Sequence, residues 1–193
     1  IYDSKNWTLC PIGNYTSVRS LMVDESTSRI YAGGSEEFGY YHNDPDRGCF
    51  VYKSLMPTLP KRNHHFTEVW NIHKSGKYIW FQSDFNLLRF DGSKSISIPY
   101  KYKITTSALI RGRLYIASKE GGICQLNGKT FTSVPGGEHV KGMRVCALLP
   151  YQKGNILIVT EFCGVFIFDG ATVRPFEMDI DPFLKANQVF CAA

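Results

Sequence analysis

The chain has 193 residues, a formal net charge of +5, 14% aromatic and 44% hydrophobic side chains. It is long enough for one domain with a sizeable core, and it holds no apolar run long enough to span a membrane. Its Lys and Arg residues are scattered, with only Lys61 beside Arg62 and Lys101 near Lys103 as small clusters, which falls short of a nucleic-acid footprint.

Taken in order, the chain opens with YDSKNW at 2–7, which matches LNGKTF at 126–131. Both read as the end of one strand, a turn and the start of the next, so 1–15 is expected to be a piece of an incomplete unit. A first complete unit covers about 18–56 and contains IYAGGSEEFGYY at 30–41, two strands around a small polar loop, then an enlarged turn at 43–48. A second covers about 66–100, with YIWFQSDFNLLRFDG at 78–92. The third, at about 104–138, predicts four strands at 106–110, 114–118, 122–126 and 129–134. Its first turn is Arg111 with Gly112 and its last is Asn127-Gly128, a strong hairpin signal because both central residues tolerate positive φ. A fourth unit, at about 140–178, contains ILIVTEFCGVFIFDG at 156–170, and 187–193 starts another first strand.

Gly39, Asn86, Gly122 and Gly164 mark the loop of each unit and recur 36 to 47 residues apart. Four strands at such a period predict an all-β fold, a β-propeller of four-stranded antiparallel blades, here a partial propeller of about four complete blades. The first strands align as VRSL, VWNI, TSAL, VCAL and VFCA, with the small residues Ser20, Asn71, Ala108, Ala147 and Cys191 in one column. Such a column suits strands converging on a crowded axis. A chain that begins and ends inside blades leaves strand edges open. The expectation is a fragment whose further blades lie in flanking sequence, or one that closes against a second copy as a homodimer.

Six cysteines carry no Cys-x-x-Cys spacing. Cys124, Cys146 and Cys191 fall in predicted strands as small apolar residues, and Cys10 and Cys49 are the least strand-bound pair for a disulfide. No zinc motif, phosphate loop or nucleophile elbow is present, so no catalytic residue, metal or cofactor is assigned. Asp3, Asp91 and Asp169 recur in turns, where they serve turn geometry. The adjacent His64 and His65 lack close acidic or thiol neighbours and read as a solvated loop.

In a propeller, the links between blades and the loops joining second to third strands share one face. The links at 57–65 and 179–187 are long, and long loops carry function more often than minimal turns. That face would also receive Arg19, Trp70 and Arg144 at the starts of first strands, with Asp84 and Phe85, Lys119 and Glu120, and Glu161 and Phe162 on the loops. Aromatics beside charges on a concave rim suit a polar ligand such as a sugar or peptide.

The repeat RLYIASKEGGICQLNGKTF at 113–131 resembles the two-component-regulator propeller repeat: an apolar strand, a Gly-Gly loop preceded by Ser or Thr, and a terminal Asn-Gly followed by an aromatic. The stretch at 30–41 is similar to a blade of sensors that carry a triple-tyrosine β-sandwich after the propeller. The second unit departs from that pattern at Asp84, Phe85 and Asn86, which lack the Gly pair. The resemblance implies a periplasmic, extracytoplasmic ligand-sensing region of a membrane-anchored bacterial regulator, with an oligosaccharide as the leading ligand and a kinase or DNA-binding output elsewhere in the parent chain. Two other readings stand beside it. One is a protein-binding scaffold propeller. The other is a polysaccharide-acting enzyme, which would need two of Glu36, Glu37, Asp84, Glu120 and Glu161 to converge.

Overall fold

The computed structural model describes residues 8–192, so the expectation for 2–7 lies outside the described residues. Among the described residues sixteen strands form four antiparallel four-stranded sheets, each in simple sequential order. The first sheet contains β1 (Val18–Asp24), β2 (Arg29–Gly34), β3 (Glu37–Asp44) and β4 (Cys49–Ser54). The second contains β5 (Val69–Ser75), β6 (Tyr78–Ser83), β7 (Asn86–Phe90) and β8 (Ser95–Pro99). The third contains β9 (Ile104–Ile110), β10 (Arg113–Ser118), β11 (Gly122–Asn127) and β12 (Thr130–Ser133). The fourth contains β13 (Val145–Pro150), β14 (Ile156–Thr160), β15 (Val165–Phe168) and β16 (Val173–Pro175). The chain divides between 97 and 98, inside β8, into two compact units, with β1 to β7 in the first and β9 to β16 in the second.

In the first unit the sheets pack through Tyr31, Phe38 and Tyr40 against Ile79, Phe81, Leu88 and Phe90. Phe38 meets Phe81 edge-on, with centroids 5.0 Å apart. The link between the sheets adds Leu55, Leu59 and Phe66 to this core, and His64 Nε2 is tied to the Leu59 carbonyl at 2.8 Å. In the second unit Tyr115, Ala117 and Ile123 pack against Leu148, Ile156, Ile158 and Phe168. Each fully buried Phe or Ile is worth roughly 1.5–3 kcal/mol, against about 0–1 kcal/mol for an exposed ion pair. Apolar packing between sheets therefore dominates the stability of each unit.

The turns follow from their residues. Arg111 and Gly112 both have positive φ (52° and 74°) between the paired Ile110 and Arg113, a two-residue hairpin turn whose twist matches the strands. Asp91 Oδ1 accepts from the backbone N–H groups of Ser93 and Lys94 at 3.0 and 2.8 Å, and Asp169 Oδ1 does the same for Ala171 and Thr172. These backbone hydrogen bonds hold both carboxyls below the usual carboxylate range. Asp91 and Asp169 are turn residues, as expected, and Asp3 lies outside the described residues.

Two registers differ from the sequence alignment, each by two residues. The last residue of each second strand is Gly34, Ser83, Ser118 or Thr160. Gly34 pairs with Glu37 and Ser118 with Gly122, while Thr160 N bonds the Gly164 carbonyl. Gly122 and Gly164 therefore correspond to Glu37, not to Gly39, which lies inside β3 opposite Ser54. In the third sheet Ser118 pairs with Ile104, as Gly34 does with Val18, so Thr106 and not Ala108 fills the small-residue column. A two-residue slip returns every side chain to the same face, so periodicity is blind to it. A one-residue bulge sets the true register at Arg19, Trp70, Thr105 and Cys146, where the pairing shifts in every sheet.

The stretch 187–192 forms no strand. It holds to the fourth sheet through Val189 N to the Glu161 carbonyl at 2.9 Å and Cys146 Sγ to the Val189 carbonyl at 3.0 Å. The preceding link folds into α1 (Asp181–Ala186). All six cysteines are free thiols. Cys124 is buried, as a small apolar strand residue should be, but Cys191 is exposed and outside any strand. Cys10 and Cys49, the disulfide candidates, line one open cleft and are unbonded.

Candidate functional site

The bulges decide where the candidate residues sit. A bulge leaves its extra residue without a ladder partner and re-aims that side chain. In the first unit the bulged residues are Arg19 and Trp70. The Arg19 guanidinium carbon lies 5.7 Å from the Trp70 ring centroid, and its Nε bonds Glu68 at 3.0 Å. Trp70 Nε1 donates to Asp84 Oδ1 at 3.0 Å, and Thr67 Oγ1 donates to Asp84 Oδ2 at 2.8 Å. Three predicted residues, Arg19, Trp70 and Asp84, thus form one cluster, with Phe85 beside it on the β6–β7 loop. Trp70 is 42% exposed and Phe85 44% exposed, so neither is consumed by packing.

The second unit builds a related group. Arg144, just before β13, bonds Glu161 Oε1 at 2.9 Å, and Gln188 Nε2 donates to the same oxygen at 2.6 Å. Gln188 and Arg144, helped by the charge of Lys119, hold the Glu161 carboxyl below its usual value against the cost of burial. Phe162 stays 49% exposed, and Lys119 and Glu120 are exposed on the β10–β11 loop.

Asp84 and Glu161 occupy the same position, the first residue after the second strand of their sheets. Sequence reading missed Glu68, Thr67 and Gln188, which complete the two clusters. The signal available was position: Glu68 directly precedes a first strand, and Gln188 directly precedes Val189, which aligns with Val69. Of the five carboxylates weighed for a hydrolytic centre, Asp84 and Glu161 are held within these two clusters. Glu37 is 6% exposed, and its Oε1 accepts from Phe38 N, Tyr52 and Ser54. Among the described residues no group of three or more His, Cys, Asp or Glu could hold a metal.

A cleft of about 460 Å³ lies at the other end of the strands in the second unit, lined by Arg111, Arg113, Gln125, Asn127 and their neighbours. It holds none of the predicted site residues.

No protein-family model matches the chain, and no curated protein does. Solved structures do. Streptogramin B lyase superposes with a TM-score of 0.60 at 12% identity, covering 85% of this chain and 55% of the lyase. The extracellular domain described as that of the hybrid two-component system BT3049 of B. thetaiotaomicron gives 0.57 at 14% identity, covering 79% of this chain and 20% of that one. The fold is a β-propeller. Each four-stranded sheet is one blade of it, and the candidate residues sit on the loops and strand starts at one end of the blades. A third match, a protein of unknown function from Bacteroides caccae, gives 0.52 at 12% identity and covers 81% of this chain and 65% of that one. The chain spans a fifth of the length of the BT3049 domain and about half of the lyase.

Proposed function

We propose that this chain is part of an extracytoplasmic, periplasmic sensor propeller of a bacterial two-component regulator, and that it binds an oligosaccharide through the blade end carrying Arg19, Trp70 and Asp84. The observation that carries the reading is the Trp70 indole. One edge is pinned by Asp84, a guanidinium lies close to the ring, and much of the side chain faces solvent. A fixed apolar plate bordered by charged hydrogen-bonding groups suits a sugar ring, whose C–H face stacks while its hydroxyls bond at the edge. Phe85 and Phe162, exposed on equivalent loops, extend such a surface within each unit. The fold likeness to the extracellular domain of a hybrid two-component system supports the setting. No helix among the described residues is long and apolar enough to cross a membrane.

Sensing requires differential affinity: the ligand must bind one arrangement of domains or copies better than another. The parent protein would supply further blades, a C-terminal β-sandwich and the output region, and a homodimer is the natural partner arrangement. A thermal-shift screen of neutral and charged oligosaccharides tests the reading. A saturable rise in melting temperature is expected, with Trp70→Ala and Arg19→Ala each weakening binding about tenfold or more. A shift that survives both substitutions would place binding elsewhere, and no shift with any glycan would favour a peptide ligand or the scaffold reading.

A further inference from the structure

The cleft at the opposite end of the second unit has a charge character of its own. Arg111 and Arg113 line it, and neither has a carboxylate partner among the described residues. None of its lining residues is acidic. Asp169, next to the lining residue Gly170, directs one carboxylate oxygen to the backbone of its own turn and lies 3.9 Å from Arg174.

Arg111 sits at the turn that borders the cleft. It takes φ +52° in a two-residue turn, a conformation that disfavours a side chain of its size. Its guanidinium lies against Gly154, where a Cβ would overlap Nη1, so the absence of a side chain at 154 makes room for it. Around the two cations stand amide and hydroxyl groups: Gln125 bonds Asn127 at 2.8 Å and Asn127 bonds Thr132 at 3.2 Å. Tyr115 and Phe168 supply an apolar floor.

We propose that this cleft binds an acidic saccharide, with the guanidiniums taking a sugar carboxylate, the amides and hydroxyl taking ring hydroxyls, and the apolar floor meeting a ring face. Guanidinium is suited to carboxylate because its planar fork matches the two oxygens. The site is separate from the Trp70 cluster and does not depend on the rim reading.

The test is calorimetric titration of the full chain with digalacturonate, neutral digalactose and inorganic sulfate. Digalacturonate is expected to bind about tenfold or more tightly than digalactose, and Arg113→Gln and Arg111→Gly are each expected to weaken it about tenfold or more. Trp70→Ala should leave this affinity unchanged. Arg111→Gly is the control for folding, because glycine takes a positive φ freely and the variant should melt no lower than the parent. Equal affinity for the neutral and acidic sugars, no binding of digalacturonate, or loss in Trp70→Ala with none in the cleft variants would overturn the proposal. Sulfate binding as tightly as digalacturonate would reduce the site to a bare anion pocket and overturn its saccharide assignment.

Discussion

Gly122→Ala is expected to cost about 3 kcal/mol or more of folding stability, because strain and overlap act at the same atom. Gly122 opens β11 with φ +72°, where an alanine pays roughly 1 kcal/mol in backbone energy. A Cβ there would also overlap the Gly137 carbonyl oxygen. That oxygen belongs to the 3₁₀ turn Gly137–Val140, and Gly137 itself sits tightly against the Ile123 carbonyl. The obstruction is backbone on both sides, so no rotamer change relieves it. Gly128 provides the comparison: its φ is +64°, but nothing lies within 4 Å of a Cβ built on it. Gly128→Ala should therefore cost only about 1 kcal/mol, the conformational part alone. Urea unfolding of the two variants measures the difference, and equal losses would show that the close approach to Gly137 yields.

The second large effect lies in the first unit. Asp24, at the end of β1, is 4% exposed and accepts from Lys74 of β5, from Ser26 and from Thr27. Burial by itself pushes its carboxyl up, but the hydrogen bonds from Lys74, Ser26 and Thr27 outweigh it and leave the group well below the usual range. Fully buried pairs cost about 3–5 kcal/mol when one partner is removed, and exposed pairs about 0–1 kcal/mol. With the Lys74 side chain 32% exposed, Asp24→Asn should fall between these, at about 2 kcal/mol near neutral pH.

The pH dependence has a definite sign. A carboxyl depressed in the folded state stabilises fully above its unfolded value of about 3.9 and loses that contribution as pH falls toward the folded value. The gap in stability between the parent chain and Asp24→Asn should be constant from about pH 8 to 5 and shrink below about pH 4. Asp91 and Asp169 are also depressed, but they titrate in both proteins and cancel in the difference. A gap that stays constant down to acid pH would mean that the loss in Asp24→Asn comes from packing.

Much of this architecture is written locally. The Asp-Gly and Asn-Gly turns place glycine where φ is positive, and Gly92, Gly128 and Gly170 adopt 99°, 64° and 96°, while Asp91 and Asp169 also supply Asx acceptors. In the third sheet each predicted strand ends within two residues of its observed place, because alternating side chains and tight turns bound it from both sides. That strand starts and second-to-third loops share one end of a sheet was legible for the same reason.

Register and pairing were not legible. A two-residue slip preserves every inward and outward assignment, so Gly39 and Ala108 aligned as well in sequence as Glu37 and Thr106 pair in space. Bulges resolve the ambiguity, and a bulge leaves no compositional mark. The contacts that join Asp24 to Lys74, Arg19 to Glu68 and Gln188 to Glu161 span 50, 49 and 27 residues. Strand period, turn chemistry and repeat length are properties of neighbouring residues and can be read along the chain. The ion pairs, the pinned indole and the arginine cleft arise only where sheets or distant segments come together, and their distances follow from packing that no local pattern encodes.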